Sequence, residues 1–141
     1  VSAIKYKGKK EIDCFSSLIK PRVPVPYNIT RITGINNEML KDAPGVEIIM
    51  KQLVEFIGEY PIVAHNANFD LGFLNQYSNG KFKQNEIIDT VPISRKIAPH
   101  LPNHKLSTVA KFIGIEEEGY HRAEFDCQCC AQIYLKYLGL I

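Results

Sequence analysis

No apolar run in these 141 residues reaches the ~20 residues that a membrane-spanning helix needs, and no signal-peptide pattern precedes the first strand-like stretch. On that reading there is no membrane partner. Neither sign of charge dominates: 17 Lys and Arg stand against 15 Asp and Glu, a formal net charge of +2. Such a balance neither demands a polyanion nor forbids one, because nucleic-acid binding depends on where charge clusters. Cysteine is sparse, and three of the four (Cys14, Cys127, Cys129, Cys130) fall within four positions, a poor layout for a disulfide framework. They read as reduced thiols, and the expected compartment is cytoplasmic. Cys127-x-x-Cys130 lies inside an expected helix without a second pair, so packing is favoured over zinc. Internal repeats, low-complexity tracts and linkers are all missing, and the length suits one domain with a continuous core. The chain has no initiating Met and opens in the strand-like Val1-Ser2-Ala3-Ile4-Lys5-Tyr6. From this we expect a single domain over 1–141 that is truncated at its N-terminus.

Residues 1–6 and 11–19 read as a β-hairpin about Lys7-Gly8-Lys9-Lys10, ended by the prolines of 21–26. Short helices are expected at 28–33, stopped by Gly34, and at 36–40. Val46, Ile49, Met50, Leu53 and Ile57 keep i, i+3, i+4 spacing, which predicts a helix over 46–57 with Gly58 as its stop. Residues 61–64 and 86–90 read as buried strands. Helices are expected at 71–77, from Pro92, at 106–113 and at 123–138, the last packing Tyr134, Leu135 and Leu138 inward. Hairpin, helix, strand, helix, strand, helices is the order of an α/β fold with a mixed sheet.

Two stretches carry candidate chemistry. His65-Asn66-Ala67-Asn68-Phe69-Asp70 follows an apolar strand and opens a helix, so Asp70 lies just beyond a strand's carboxyl end and in the helix's first turn, where α/β sheets bind ligands. By itself Asp70 reads as a helix cap. Tyr120-His121-Arg122-Ala123-Glu124-Phe125-Asp126 opens the last helix. A histidine beside a carboxylate in a cleft suits a general base, and carboxylates from separate elements suit a divalent cation. By itself this too reads as a structural His and a surface Asp. Asp89-Thr90 is read as a strand-end cap for the Pro92 helix rather than a further acidic ligand. Lys5, Lys7, Lys9 and Lys10 form a basic hairpin turn with at most modest phosphate attraction, and Arg122 is a better phosphate candidate unless it pairs with Glu124 or Glu118.

Taken together, His-Asn-Ala-x-Phe-Asp and the downstream His-Arg-Ala-x-x-Asp resemble the DEDDh family of 3′→5′ exonucleases, which includes the proofreading epsilon subunit of bacterial DNA polymerase III. Phe15 to Pro21 (FSSLIKP), Thr33-Gly34-Ile35, Asp42-Ala43-Pro44, Ile88-Asp89-Thr90 and Lys105-Leu106-Ser107-Thr108 match the same pattern in order. The resemblance implies a ribonuclease-H-like mixed sheet flanked by helices and two-metal hydrolysis of terminal phosphodiesters. It implies two Mg²⁺ or Mn²⁺ ions held in part by Asp70 and Asp126, His121 as the catalytic base, and His65 and Phe69 against the terminal nucleotide. Packing in the core is the equal alternative for Phe69. The expected substrate is single-stranded DNA or a frayed 3′ end, in proofreading or repair, with a DNA polymerase subunit as a further partner. An RNA-trimming relative and a catalytically silent domain that binds nucleic acid or a polymerase are the alternatives.

One departure stands out. The family's metal site also uses an Asp-x-Glu pair on a first, central strand upstream of the one matching residues 1–6, and nothing here occupies that place. Glu11-Ile12-Asp13 has reversed order and falls on the second hairpin strand, so it is rejected as a substitute, although alternation would set its carboxylates on one face. We therefore expect a sheet lacking its first central strand.

Overall fold

The computed structural model describes residues 1–116 and 122–141. It opens with an antiparallel hairpin of β1 (Ser2–Lys7) and β2 (Lys10–Ser16), paired from Ser2 opposite Ser16 to Lys7 opposite Lys10. The two-residue loop works because Gly8 takes a left-handed φ of +58°. The register shifts between Lys5, opposite Asp13, and Tyr6, opposite Glu11. Ile12 is thereby the extra residue of a bulge and is 54% exposed. The strict alternation assumed for Glu11 and Asp13 breaks at that point. β2 is also shorter than the expected 11–19. After Ser17 pairs with Val1, the amide of Lys20 turns to the carbonyl of Pro44 at 2.8 Å, and prolines follow that cannot extend a ladder.

α1 (Tyr27–Thr33) ends at Gly34, whose φ is +69°, and α2 (Asn37–Leu40) starts on Asn36, whose side chain accepts from the Met39 amide at 2.9 Å. α3 (Val46–Ile57) has the expected bounds, and its apolar stripe buries Val46, Ile49, Met50 and Leu53. Val46, Met50 and Leu53 gather with Phe82 into one core cluster, against which Ala3, Phe15, Leu71 and Leu74 pack. A second cluster joins Ile93, Val109 and Ile133.

The second sheet is parallel: β3 (Ile62–Ala64) pairs with β4 (Ile87–Asp89), Ile62 opposite Ile87 and Ala64 opposite Asp89. β3 leads into α4 (Ala67–Ser78) and, past a 3₁₀ turn at Lys81–Gln84, β4 leads into α5 (Thr90–Ile97). α6 (Leu106–Phe112) and α7 (Ala123–Tyr137) complete the described chain. The two strand pairs supply both senses of a mixed sheet, and among the described residues no strand links β1 to β3. α7 touches both β1 and β3. α4 begins at Ala67, which puts Asp70 in its first turn as expected, whereas α5 begins at Thr90 rather than Pro92. Leu138, expected inside, is 48% exposed, whereas Ile133 and Leu135 are buried.

Candidate active site

The site lies where β3 and β4 end side by side and each feeds a helix. Asp89, the last residue of β4, holds both helix starts. Its Oδ1 accepts from the Val91 amide at 2.8 Å, capping α5, and from the Asn66 amide at 3.1 Å. Its Oδ2 accepts from the Ala67 amide at 3.0 Å. Helix N-termini leave amides without intrahelical partners, and one carboxylate here satisfies three donors from two helix starts. Asn66 reaches this position with φ +62°, a left-handed conformation that Asn tolerates better than most residues.

Thr90, fully buried, continues the grip: its Oγ1 is 2.8 Å from Nδ1 of His65. Nε2 of His65 lies 2.7 Å from the carbonyl oxygen of His104. A carbonyl only accepts, so Nε2 carries the proton and Nδ1 accepts from the Thr90 hydroxyl. Burial lowers the His65 pKa, opposed by the His104 carbonyl and by Asp89. The ring is therefore neutral and committed at both nitrogens to protein partners.

Asp70 falls in the first turn of α4 and Asp126 in the first turn of α7. The Asp70 pKa is raised, chiefly by desolvation and then by the charges of Asp126 and Asp89. The two sequence-predicted metal ligands thus lie within each other's electrostatic reach. α7 is fixed beside β1 by the Cys127 thiol, which donates to the Ser2 carbonyl at 3.3 Å. Burial, then the Asp126 and Asp70 charges, push the Cys127 thiol up to about 12. Burial likewise pushes Cys130 up to about 12 and Cys129 to about 11. These are protonated, packed thiols.

Phe69 is 79% exposed, which removes the core-packing alternative. His121 lies outside the described residues. Arg122 donates from its guanidinium to the Gly34 carbonyl at 3.3 Å and so ties the start of α7 to the end of α1, while Glu118, its other expected partner beside Glu124, lies outside the described residues. Lys5 rests on the Phe56 ring, 4.3 Å from its centroid, and so is partly withdrawn from the basic turn. A cavity of about 550 Å³ opens beside Asp126, lined among others by Asn66, Val91, Arg95, Lys105 and Ser107. Another hollow, of about 420 Å³, lies against Leu101, Thr108, Lys111 and Phe112 and has no carboxylate in its lining.

The donor set fits a hard divalent cation. Asp70 and Asp126 offer only oxygen, and their mutual repulsion is the kind that a bound cation reverses. Among the described residues no group of three or more His, Cys, Asp or Glu side chains has metal-binding geometry.

The element order and the carboxylates beyond paired parallel strands define a ribonuclease-H-like nuclease fold. A model of the RNase_T exonuclease family matches residues 1–134, and the chain belongs to that family, whose members generally use divalent metal ions. It is 39% identical over 135 residues to the DNA polymerase III PolC-type of Clostridium perfringens, matching 94% of this chain and 9% of that protein. With the same polymerase type of Bacillus subtilis (strain 168) it is 38% identical over 142 residues, 98% of this chain and 10% of that one. The chain thus spans about a tenth of the length of these relatives. Its fold is similar to that of exonuclease X solved in complex with 5′ overhanging duplex DNA. The TM-score is 0.75 at 21% identity over 98% of this chain and 80% of that one.

Sequence reasoning read Asp89 as a cap for one helix only and met Lys105 only within Lys105-Leu106-Ser107-Thr108; Arg95, which also lines the cavity, was not singled out.

Proposed function

We propose that this chain is a 3′→5′ exonuclease domain that removes terminal nucleotides from DNA with two Mg²⁺ or Mn²⁺ ions. The observation that carries the reading is the electrostatic convergence of Asp70 and Asp126 from the first turns of α4 and α7. Bound cations of this kind activate water and stabilise a leaving oxygen. Asp70 and Asp126 supply oxygen ligands, and His121 takes the proton from the attacking water. Phe69, already in solvent, packs on the terminal base or sugar, a contact tolerant of sequence. His65 meets the nucleotide through its ring face, since both nitrogens are engaged. DNA as substrate is supported by the polymerase relatives and by the DNA-bound fold relative. The same relatives support a replicative polymerase as the partner and proofreading as the setting.

The test uses the native full-length protein with Mg²⁺ and a 5′-labelled single strand. A ladder receding from the 3′ end is expected, lost on Asp70→Asn or Asp126→Asn. His121→Ala is expected to lower turnover by about 10²- to 10⁴-fold, the usual worth of general base catalysis. An intact DNA strand, or an RNA strand of the same sequence degraded in preference, refutes the proposal.

A further inference from the structure

Five cations of the described surface have a neighbour that occupies them. Arg22 pairs with Glu47 and Lys41 with Glu38, each at 3.4 Å. Lys5 lies over Phe56, Lys96 lies over Tyr137, and Arg122 donates to Gly34. Arg95 and Lys105 are set apart by their place. Both are exposed, both line the cavity of about 550 Å³ that also contains Asp126, and among the described residues neither side chain has an ion-pair or hydrogen-bond partner. They come from different elements, the last turn of α5 and the residue just before α6, so the fold rather than local sequence brings them to one cavity.

A cavity with a carboxylate and two cations that do not neutralise it has room for an anion held away from that carboxylate. Its volume lies within the range of small-ligand clefts, and Val91 and Leu106 give it an apolar surface of the kind a sugar or base can lie against. The anion available to a nuclease beside its carboxylates is the substrate's own backbone.

We propose that Arg95 and Lys105 hold a backbone phosphate of the bound strand in the cavity beside Asp126, and that this pair, not the lysine-rich hairpin turn, is the strand's main electrostatic anchor. The proposal rests on the exonuclease reading above. Neutralising a phosphate releases condensed counterions, so each such contact adds about 0.7 to the slope of log affinity against log salt for a single strand. Arg95→Gln with Lys105→Gln is therefore expected to flatten the salt dependence of KM by about 0.7, the contribution of one phosphate. At moderate salt it raises KM on the order of tenfold.

The experiment measures KM for degradation of a 5′-labelled DNA strand across a potassium chloride series, using the native full-length protein. Its arms are the wild type, the double variant, each single variant, Arg95→Lys, and Lys7→Gln with Lys9→Gln on the hairpin. Arg95→Lys keeps the charge and should keep the slope, while each single Gln variant should lose about half of the double variant's change. A thermal melt verifies folding, and the single variants carry the test should the double variant not fold. Wild-type salt dependence retained in the folded Gln variants overturns this proposal and leaves the exonuclease reading standing. A larger loss from the hairpin variant overturns it too. A wild type that degrades no DNA refutes the exonuclease reading itself.

Discussion

Removing the Asp89 carboxylate should loosen two helix starts at once, and the size of the effect follows from its three hydrogen bonds. Loss of the Val91 contact is the loss of an N-cap on α5, about 1 kcal/mol. The Ala67 amide belongs to a residue only 2% exposed, so water cannot replace its bond to Oδ2; that charge-assisted contact contributes about 2 kcal/mol. The Asn66 amide is on an exposed residue and regains water, so we count it as small. Asp89→Ala should therefore cost about 3 kcal/mol. Asp89→Asn can keep Oδ1, which serves Val91 and Asn66, but turns an NH₂ toward the Ala67 amide, and should cost about 2 kcal/mol. At about 4 °C per kcal/mol for a chain of this size, the melts should fall by roughly 12 °C and 8 °C. Circular dichroism on heating reads both values. The Asn variant also removes a negative charge that helps raise Asp70, so Asp70 should titrate lower in it than in the wild type. Equal melts for wild type, Asn and Ala, or an Asn variant less stable than Ala, would refute the double-cap assignment.

Phe69→Ala should change stability by no more than about 0.5 kcal/mol, as for surface substitutions generally, since the ring is 79% exposed. It should raise KM for a DNA strand by the worth of one stacked base, about 1–3 kcal/mol, and a large melting loss with unchanged KM would return the ring to a structural role. For Asp70 the folded pKa is raised above its ordinary value of 3.8, so its contribution to stability is full below that value and is lost as pH rises through the folded pKa. Asp70→Asn should therefore gain stability relative to wild type over that window, and added Mg²⁺ should close the gap by stabilising wild type alone; parallel pH profiles would sink the reading. A thiol reagent at neutral pH should modify exposed Cys14 well before Cys127 and Cys130, both pushed up to about 12. Labelling of Cys127 at the rate of Cys14 in folded protein would contradict the seating of α7 against β1.

What was legible in the sequence is what short-range chemistry writes there. Five apolar residues at helical spacing and a glycine stop gave α3 its bounds, and Asn36 marked the start of α2 by its own side-chain bond. The first turn of α4 was legible around Asp70, but its first residue was not, because Ala67 and Asn68 carry no apolar period. It is set by Asn66 in a left-handed conformation and by Asp89, 23 residues away in sequence. The hairpin bulge likewise has no local signature, since Glu11-Ile12-Asp13 reads as ordinary alternation until the pairing shifts. At the site, Asp70 and Asp126 were recognisable by motif. Arg95 was not, because it looks like a solvated surface cation until the end of α5 and the start of α6 meet at one cavity, and Lys105 was legible only as part of the Lys105-Leu106-Ser107-Thr108 match.

The arrangement also explains why α7 is held from several sides. Asp70 rides on α4, whose start is locked to the ends of β3 and β4. Asp126 rides on α7, which touches β1 and β3 and packs Ile133 among α5 and α6 residues. The Asp126 charge helps raise the proton affinity of Asp70, and like charges of this kind would move apart if either helix were loosely seated. The Cys127 bond to Ser2, the Arg122 bond to Gly34 and the buried Ile133 all oppose that relaxation without touching the carboxylates. Repulsion at the site is thus sustained by packing elsewhere, and under the proposed function it is a bound cation that relieves it. Loosening α7 at Ile133 should accordingly weaken cation binding even though every candidate ligand remains in the chain.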